Sequence, residues 1–244
     1  MNRHPSIENQ KAYYDHRWRN EISAGINRIE LRRLIAILQM IDQTQIKPGM
    51  RILDLGCGRG WLSSILSHIG ATTGIELSDE AVRAARELHR NVDFRTGNLF
   101  EVLTERDWYD LVISQEVIEH VADQSAFINL TADSMKLGGV FIFTTPNAWT
   151  QAHRTREELE NWGLQPIENW IDRRQITKLL ARGFQVFEIK SIIDGFGTTG
   201  VFRIASSKRL RIVLDRMKLL RLYSSLLLSL DFGLHLVVLA KRKL

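Results

Sequence analysis

The chain has 244 residues, of which 44% are hydrophobic, and it carries a single cysteine and a formal net charge of +5. This length can bury one substantial core with room for a small appendage. One cysteine excludes a disulfide framework and fits a reducing compartment. The polar N-terminus is unlike a signal peptide, and no apolar run reaches the roughly 18 residues needed to cross a bilayer. A cytoplasmic protein is therefore expected.

The N-terminal residues are predicted to be helical. Tyr14 and Trp18 are four residues apart, so they share one face of a helix that packs on the domain surface. A second, amphipathic helix is indicated by apolar residues at helical spacing, followed by the turn residues 47–49. Those apolar residues are Ile29, Leu31, Leu34, Ile35, Leu38 and Ile41.

The middle of the chain alternates between strand and helix patterns. Strands are predicted at 52–55, 72–77, 91–96, 111–115 and 140–145, and helices at 61–69, from the N-cap Ser78 onwards, and at 124–137. This alternation implies an α/β fold with right-handed crossovers and a parallel sheet, with ligands at the carboxyl ends of the strands. The polar residues that mark candidate sites all fall at those ends.

A glycine-rich turn follows the first strand. Gly56, Gly58 and Gly60 flank Cys57, and the first two glycines are expected to have positive φ and to let a ligand approach the backbone. The spacing differs from the dinucleotide pattern G-x-G-x-x-G, because the third glycine comes one residue early. Asp54 suits a ligand with an ammonium group, although it could simply bind turn amides.

The second strand ends at an acid. Glu76, followed by Leu77, stands twenty positions after Gly56, a spacing that suits a carboxylate accepting both hydroxyls of a ribose. The glycine turn and this distal acid together predict a nucleoside-containing cofactor.

The motifs at 52–60, 74–78, 109–120 and 138–147 resemble those of class I S-adenosylmethionine-dependent methyltransferases, in particular the ubiquinone-biosynthesis O-methyltransferase branch. The resemblance implies a Rossmann-like, seven-stranded, mostly parallel sheet of order 3-2-1-4-5-7-6, with helices on both faces and S-adenosylmethionine as cofactor. It further implies that residues 1–44 form a helical lid on the core 45–192. By the same resemblance, Asn98 stands in place of the usual aspartate and is expected beside adenine. Leu99 is expected to pack on the adenine ring, and Gln115 to complete the cofactor contacts.

Three side chains just beyond strand four are candidates for catalysis. In a helical turn, Glu116, Glu119 and His120 would share one face. Histidine is the preferred base, since its ordinary pKa of about 6.5 leaves much of it neutral at physiological pH, although Glu119 and His120 could instead bond to each other and to the backbone.

The Glu-x-x-Glu-His pattern also resembles the metal motif of small-RNA 2′-O-methyltransferases. Here Glu168-Asn169-Trp170 stands where a downstream histidine is expected, so no metal is predicted. Trp149, Trp162 and Trp170 would either wall the acceptor pocket or form the core of a small cap.

The C-terminal part contains two further strands, 184–192 and 234–241, separated by a basic helical insertion at 193–233. Seven cations and one acid lie between residues 203 and 221, interleaved with apolar residues at helical spacing. Residues 203–230 could be a solvated helix face, a subunit contact or a surface that lies on anionic lipid. Nucleic acid is not favoured, because stacking aromatics are sparse there.

Together these features predict a single-domain methyltransferase that modifies an oxygen, with nitrogen as second choice, of a small-molecule acceptor. An RNA 2′-O-methyltransferase and a catalytically idle, cofactor-binding adaptor at a membrane surface are the alternatives. The acceptor and the oligomeric state cannot be deduced from the residues.

Overall fold

The computed structural model describes residues 4–20, 26–45, 47 and 49–244. Within these residues seven strands form one sheet. Their bounds are β1 Arg51–Leu55, β2 Ala71–Glu76, β3 Asp93–Thr96, β4 Tyr109–Gln115, β5 Met135–Pro146, β6 Phe184–Ile192 and β7 His235–Arg242.

The strand order is β3-β2-β1-β4-β5-β7-β6, which confirms the predicted topology. The first five strands are parallel, whereas β7 runs antiparallel to both β5 and β6. Because of this reversal, the first residue of β7, His235, pairs with Pro146 at the end of β5. The beginning of β7 therefore lies at the same edge of the sheet as the carboxyl ends of the parallel strands.

Helices cover both faces of this sheet. In the described parts of the chain they are α1 Ile7–Asn20, α2 Arg28–Asp42, α3 Trp61–Leu66, α4 Asp79–Leu88, α5 Leu99–Val102, α6 Gln124–Ser134, α7 Ala148–Gln151, α8 Arg156–Trp162, α9 Arg173–Leu180, α10 Gly200–Ala205, α11 Lys208–Arg216 and α12 Leu220–Ser229. A single 3₁₀ turn, Ile118–His120, follows β4. None of the helices described is both long and apolar enough to span a membrane.

The hydrophobic core lies in two layers because successive strand residues point to opposite faces. On one face, Phe127 of α6 and Leu180 of α9 pack against Phe141 of β5. On the other, Ile37 of α2 and Leu66 of α3 pack in a separate cluster with further strand residues. Both faces of the sheet are thus buried, and this accounts for the nearly continuous apolar runs of the central strands.

Two predicted helix ends were wrong. The helix expected at 61–69 ends at Leu66, and the one expected at 124–137 ends at Ser134. In the second case Met135 already pairs with Tyr109 of β4, so strand pairing replaces helix at residues whose local pattern allowed both. The N-cap at Ser78 is confirmed, since its hydroxyl accepts a hydrogen bond from the Ala81 amide at 3.2 Å.

The buried face of α2 differs from the predicted one. Leu34 and Ile41 are buried as expected, together with the unexpected Ile37, but Ile35 and Leu38 are exposed. The helix has apolar residues on more than one side, and only contact with the sheet decides which side is covered. The capping box formed by Asn27 and Glu30 fixes the start of this helix.

Helix α1 is attached to the beginning of α4. Asp15 accepts hydrogen bonds from the Ser78 hydroxyl at 2.6 Å and the Glu80 amide at 3.3 Å, while Lys11 pairs with Asp79. The contact places α1 beside the carboxyl edge of the sheet. The predicted lid at 1–44 also includes residues 1–3 and 21–25, which lie outside the described residues.

Substitution of Gly60 tests how tightly the glycine turn packs. Gly60 has φ +76°, and an added Cβ would lie 2.4 Å from the Phe94 ring, whereas Gly163 has φ +85° and open space around it. We expect Gly60→Ala to lower the free energy of unfolding by roughly 2–4 kcal/mol and Gly163→Ala by about 1 kcal/mol. Urea unfolding of both variants measures the difference, and equal losses would show that Phe94 imposes no constraint.

Candidate functional site

A cavity of about 720 Å³ opens at the carboxyl edge of the sheet. It brings together nearly all of the predicted site residues, which come from four separate segments of the chain. Those lining it are Asp54, Gly56, Cys57, Gly58, Glu76, Leu77, Asn98, Leu99, Gln115, Glu116, Glu119 and His120. Gly60 is the exception: it packs beneath the turn against Phe94 and Ala85 and does not line the cavity.

The glycine turn forms one wall of the cavity. Gly56 and Gly58 have φ values of +71° and +53°, as predicted. An added Cβ at Gly56 would lie 2.2 Å from Val117, and one at Gly58 would lie 3.0 Å from the Trp18 ring. The amides of Gly56 and Cys57 donate to the Ile75 carbonyl, so these two N–H groups are used within the protein. The turn is therefore shaped by close packing as well as by backbone conformation.

Asp54 is buried beneath this turn. Its carboxylate accepts a hydrogen bond of 2.5 Å from the Ser63 hydroxyl. Burial raises the pKa of Asp54 to about 7, because removal from water penalises the charged form more than this hydrogen bond stabilises it. Asp54 is thus a carboxyl group whose ionisation a nearby cation would favour.

Glu76 ends β2 with both carboxylate oxygens held by backbone amides. Gly58 donates to Oε2 at 3.1 Å and Ser78 donates to Oε1 at 3.0 Å. Burial still raises the pKa of Glu76 above its ordinary value. Each oxygen keeps a second lone pair, so the carboxylate is oriented by the turn and can accept further hydrogen bonds from a ligand.

Three more residues face the cavity: Asn98 and Leu99, which follow β3, and Gln115 at the end of β4. Asn98 caps α5 by accepting from the Phe100 amide at 3.2 Å, so it is both an ordinary turn asparagine and part of the cavity wall. Leu99 lies beside it. The Gln115 Oε1 atom is buried without a hydrogen-bond partner among the described residues. A buried acceptor of this kind is typical of a site completed by a ligand.

His120 is held in a defined tautomer. Its Nδ1 lies 2.7 Å from the Ile167 carbonyl oxygen, and because a carbonyl can only accept, Nδ1 must carry the proton. Nε2 is left with a lone pair, 3.7 Å from Glu119 Oε1, too far for a hydrogen bond. Burial lowers the pKa of His120 and raises that of Glu119 well above its usual range, so burial favours the neutral form of both side chains.

Glu116 does not share a helical face with these two residues, contrary to the prediction. It lies at the end of β4 with φ +58°, before the 3₁₀ turn. Its Oε2 pairs with Arg33 at 2.9 Å and with His235 Nδ1 at 2.8 Å. Although burial acts in the opposite direction, the neighbouring His235 and Arg33 lower the pKa of Glu116 to about 2, which makes it a poor proton acceptor.

The acids near His120 do not gather around a common point. Among the described residues no three histidine, cysteine or acidic side chains converge as metal ligands do, and Glu116 is committed to Arg33 and His235. Glu168 lines the cavity with its carboxylate accepting from the Gln165 amide at 2.9 Å. The residues present therefore do not fit a metal centre of the Glu-x-x-Glu-His type.

The aromatic residues divide between two locations. Trp18 and Tyr14 of α1 both line the cavity, as does Trp162. Trp149, by contrast, packs against Phe202 with ring centroids 5.0 Å apart and lies outside the cavity. Of the three tryptophans predicted for an acceptor pocket, the structure thus places only Trp162 at the wall.

Arg33 and His235 are the site residues that the sequence prediction missed. Arg33 lies on α2, far from the motifs in sequence, and nothing local distinguishes it from other arginines of that helix. His235 begins the last apolar run, and the antiparallel position of this strand could have placed it at the carboxyl edge. It is fully buried.

Comparison with known families gives a match to the methyltransferase domain over residues 46–191. Among curated proteins, the chain is 28% identical over 172 residues to the ubiquinone biosynthesis O-methyltransferase of Bartonella tribocorum, covering 65% of this chain and 68% of that protein. It is 37% identical over 141 residues to the protein of that name from Paramagnetospirillum magneticum, covering 53% and 56%. The second match spans little more than half of that relative.

Solved structures resemble the whole chain at lower identity. A putative methyltransferase in complex with the Haloferax volcanii Trm112 methyltransferase activator superposes with a TM-score of 0.66 at 19% identity, covering 98% of each chain. The DhpI–SAH complex superposes with a TM-score of 0.63 at 18% identity, covering 97% of each. At these identities the similarity establishes the fold.

The buried Asp54 carboxyl makes stability depend on pH. Because its pKa is raised to about 7 from 3.8, the folded state holds this proton more tightly than the unfolded state, and stability falls as pH rises towards 7. We expect Asp54→Asn, relative to the parent, to gain roughly 2–3 kcal/mol of unfolding free energy between about pH 5 and pH 8. Urea unfolding of the ligand-free proteins at both pH values tests this. A difference that stays constant with pH would contradict it.

Proposed function

Because this chain belongs to the methyltransferase-domain family of class I S-adenosylmethionine-dependent enzymes, we propose that it transfers a methyl group to an oxygen atom of a small-molecule acceptor. The observation that carries this proposal is the neutral His120, fixed with its proton on Nδ1, in the same cavity as Asp54 and Glu76. A proton acceptor and the residues proposed to bind the cofactor thus line the same cavity.

The residues of the cavity fit S-adenosylmethionine. Glu76, oriented by two backbone amides, suits the ribose hydroxyls, and Asp54 suits the ammonium group of the methionine part. The unpartnered oxygen of Gln115 supplies a further acceptor. Asn98 and Leu99 would border the adenine, with the Asn98 side chain already held in place as a helix cap. The remaining predicted residues line the cavity around these groups: Gly56, Cys57, Gly58 and Leu77.

The bound sulfonium supplies an activated methyl group, so the protein has to orient the acceptor and remove its proton. His120 Nε2 accepts that proton, since the Ile167 carbonyl keeps the other ring nitrogen protonated and stabilises the charge that forms. Glu119, whose neutral form is favoured by burial, accepts a hydrogen bond from the Thr145 hydroxyl at 3.0 Å. Glu116 is ionised, contacts Arg33 and His235, and forms part of the cavity wall.

An oxygen of a small molecule is the acceptor that the cavity supports best. The two curated relatives compared above are named O-methyltransferases, and loss of a hydroxyl proton requires a base such as His120. A cavity of about 720 Å³ has the size of typical small-molecule sites, and Tyr14 and Trp18 of α1 cover one side of it. This cover favours a small acceptor over RNA, and the base argues against an idle adaptor.

We further propose that residues 1–244 form one methyltransferase domain. Residues 45–192 are the cofactor-binding core, and residues 234–244 add the last strand. The N-terminal residues 1–44 act as a lid, because α1 lies on α4 and its Trp18 ring lies against Gly58.

Binding of S-adenosylhomocysteine tests the cofactor site. At about one hundred times its Kd, this ligand should raise the unfolding free energy by roughly 2.7 kcal/mol, or about 5–10 °C in Tm. Glu76→Gln should weaken its affinity roughly tenfold to hundredfold, because a charged hydrogen-bond acceptor is replaced by a neutral amide. Glu87→Gln, an exposed acid on α4, is the matched control. No stabilisation of the parent protein would refute the cofactor assignment.

Substitution of His120 tests the base. We expect His120→Ala to lower turnover about 10²- to 10⁴-fold while the affinity for S-adenosylhomocysteine changes little. Transfer of labelled methyl groups from the cofactor into a panel of phenolic acceptors and metabolite extracts measures turnover. The exposed His68→Ala serves as control, and parental turnover in His120→Ala would end the assignment.

A further inference from the structure

Helices α10, α11 and α12, here called the basic segment (residues 200–229), lie between β6 and β7. They are attached to the rest of the protein through few side chains. Phe202 stacks near Trp149 and Phe232, with centroid distances of 5.0 and 4.6 Å, and Arg211 pairs with Asp194 at 2.7 Å. Besides Phe202, only Ala205 and Leu227 of the segment are buried.

Most apolar side chains of the basic segment are exposed to solvent. Leu222 is 71% exposed and Ile204 is 69% exposed, which are high values for such residues in a folded protein. Five more are at least half exposed: Val201, Ile212, Val213, Met217 and Leu226. A cluster of this size within thirty residues is typical of a surface that is covered in use.

The same surface carries a concentration of positive charge. Arg203, Lys208, Arg209, Arg216, Lys218 and Arg221 are all exposed, and none of them forms an ion pair with another described residue. Asp215 is the single acid between residues 200 and 229. These cations are therefore available to an anionic partner.

Cations and apolar residues share faces instead of separating onto opposite sides. On α11, Arg209, Val213 and Arg216 are spaced three or four residues apart and so lie on one face. On α12, Leu222 and Leu226 form a stripe next to Arg221. A solvated helix face would carry the charges without the exposed leucines, and a surface made for another protein's apolar core would carry the leucines without so many unpaired charges.

The basic segment is anchored at the edge of the sheet where the cavity opens. It follows β6, whose last residue Ile192 pairs with His235, and His235 in turn pairs with Pro146. Pro146 lines the cavity. A surface that binds the segment would therefore lie near the cofactor site.

We propose that the basic segment binds the surface of an anionic lipid bilayer. Lipid phosphates match the unpaired lysines and arginines, and the interfacial layer accepts the exposed isoleucines and leucines. Nucleic acid matches only the charge, since stacking aromatics are sparse in the segment. Besides Phe202 its one aromatic residue is Tyr223, which is half-buried and whose hydroxyl donates to the Ala205 carbonyl at 3.1 Å. This proposal does not depend on which acceptor is methylated.

Vesicle flotation of the full chain tests the proposal. We expect flotation with vesicles of phosphatidylcholine and phosphatidylglycerol, and little with phosphatidylcholine alone. Arg209→Gln/Arg216→Gln/Arg221→Gln should weaken binding roughly fivefold per cation, on the order of a hundredfold together. Leu222→Ser/Leu226→Ser should weaken it at least tenfold by removing buried apolar surface.

The matched control removes three exposed cations outside the segment, as Arg174→Gln/Lys178→Gln/Arg182→Gln, and should bind as the parent does. Stabilisation by S-adenosylhomocysteine shows that each variant is folded, so loss of lipid binding and loss of the cofactor site are read separately. Failure to bind anionic vesicles would overturn the proposal, as would equal weakening by the control. Retention on RNA or concentration-dependent dimerisation without vesicle binding would also overturn it, and would assign the surface to those partners.

Discussion

The burial of three carboxyl groups at one edge of the sheet is the constraint on which the site depends. Asp54 lies in β1, Glu76 ends β2 and Glu119 lies in the 3₁₀ turn after β4, and the carboxyl ends of parallel strands bring them to one cavity. Burial raises the pKa of each, so the ligand-free cavity disfavours the charges that a cationic, hydroxyl-bearing cofactor would stabilise. The site is therefore less stable empty than occupied, and binding and folding are linked.

The motif beyond β4 shows how environment separates the roles of neighbouring side chains. Glu116 and Glu119 are three residues apart, yet Arg33 and His235 lower the pKa of the first while burial raises the pKa of the second. His120, next to Glu119, stays neutral because burial disfavours its cation. The pKa values of two acids in one motif are thus shifted in opposite directions, and the histidine keeps the free lone pair that a proton acceptor needs.

The reversal of β7 links the candidate site to the basic segment. Because this strand runs antiparallel, it brings His235 to Glu116 and also places the connection from β6, with its three helices, beside the cavity. One topological feature thus places His235 beside Glu116 and positions the basic segment at the same edge. The core can bind its cofactor whatever surface this segment contacts, so the two proposals are physically separable.

The sequence by itself determined the alternation of strands and helices and the turn-and-acid constellation around Gly56 and Glu76, because hydrophobic periodicity, glycine spacing and acids at strand ends are local patterns. The strand order followed from the resemblance of its motifs to a known family. It also marked the basic segment by composition. It did not determine which apolar side of α2 is buried, that β5 begins at Met135, or that Gly60 packs away from the cavity. Nor did it reveal that Arg33 and His235 contact the Glu116 carboxylate. Those features depend on contacts between residues distant in the chain, and charge and burial at a site are properties of such contacts.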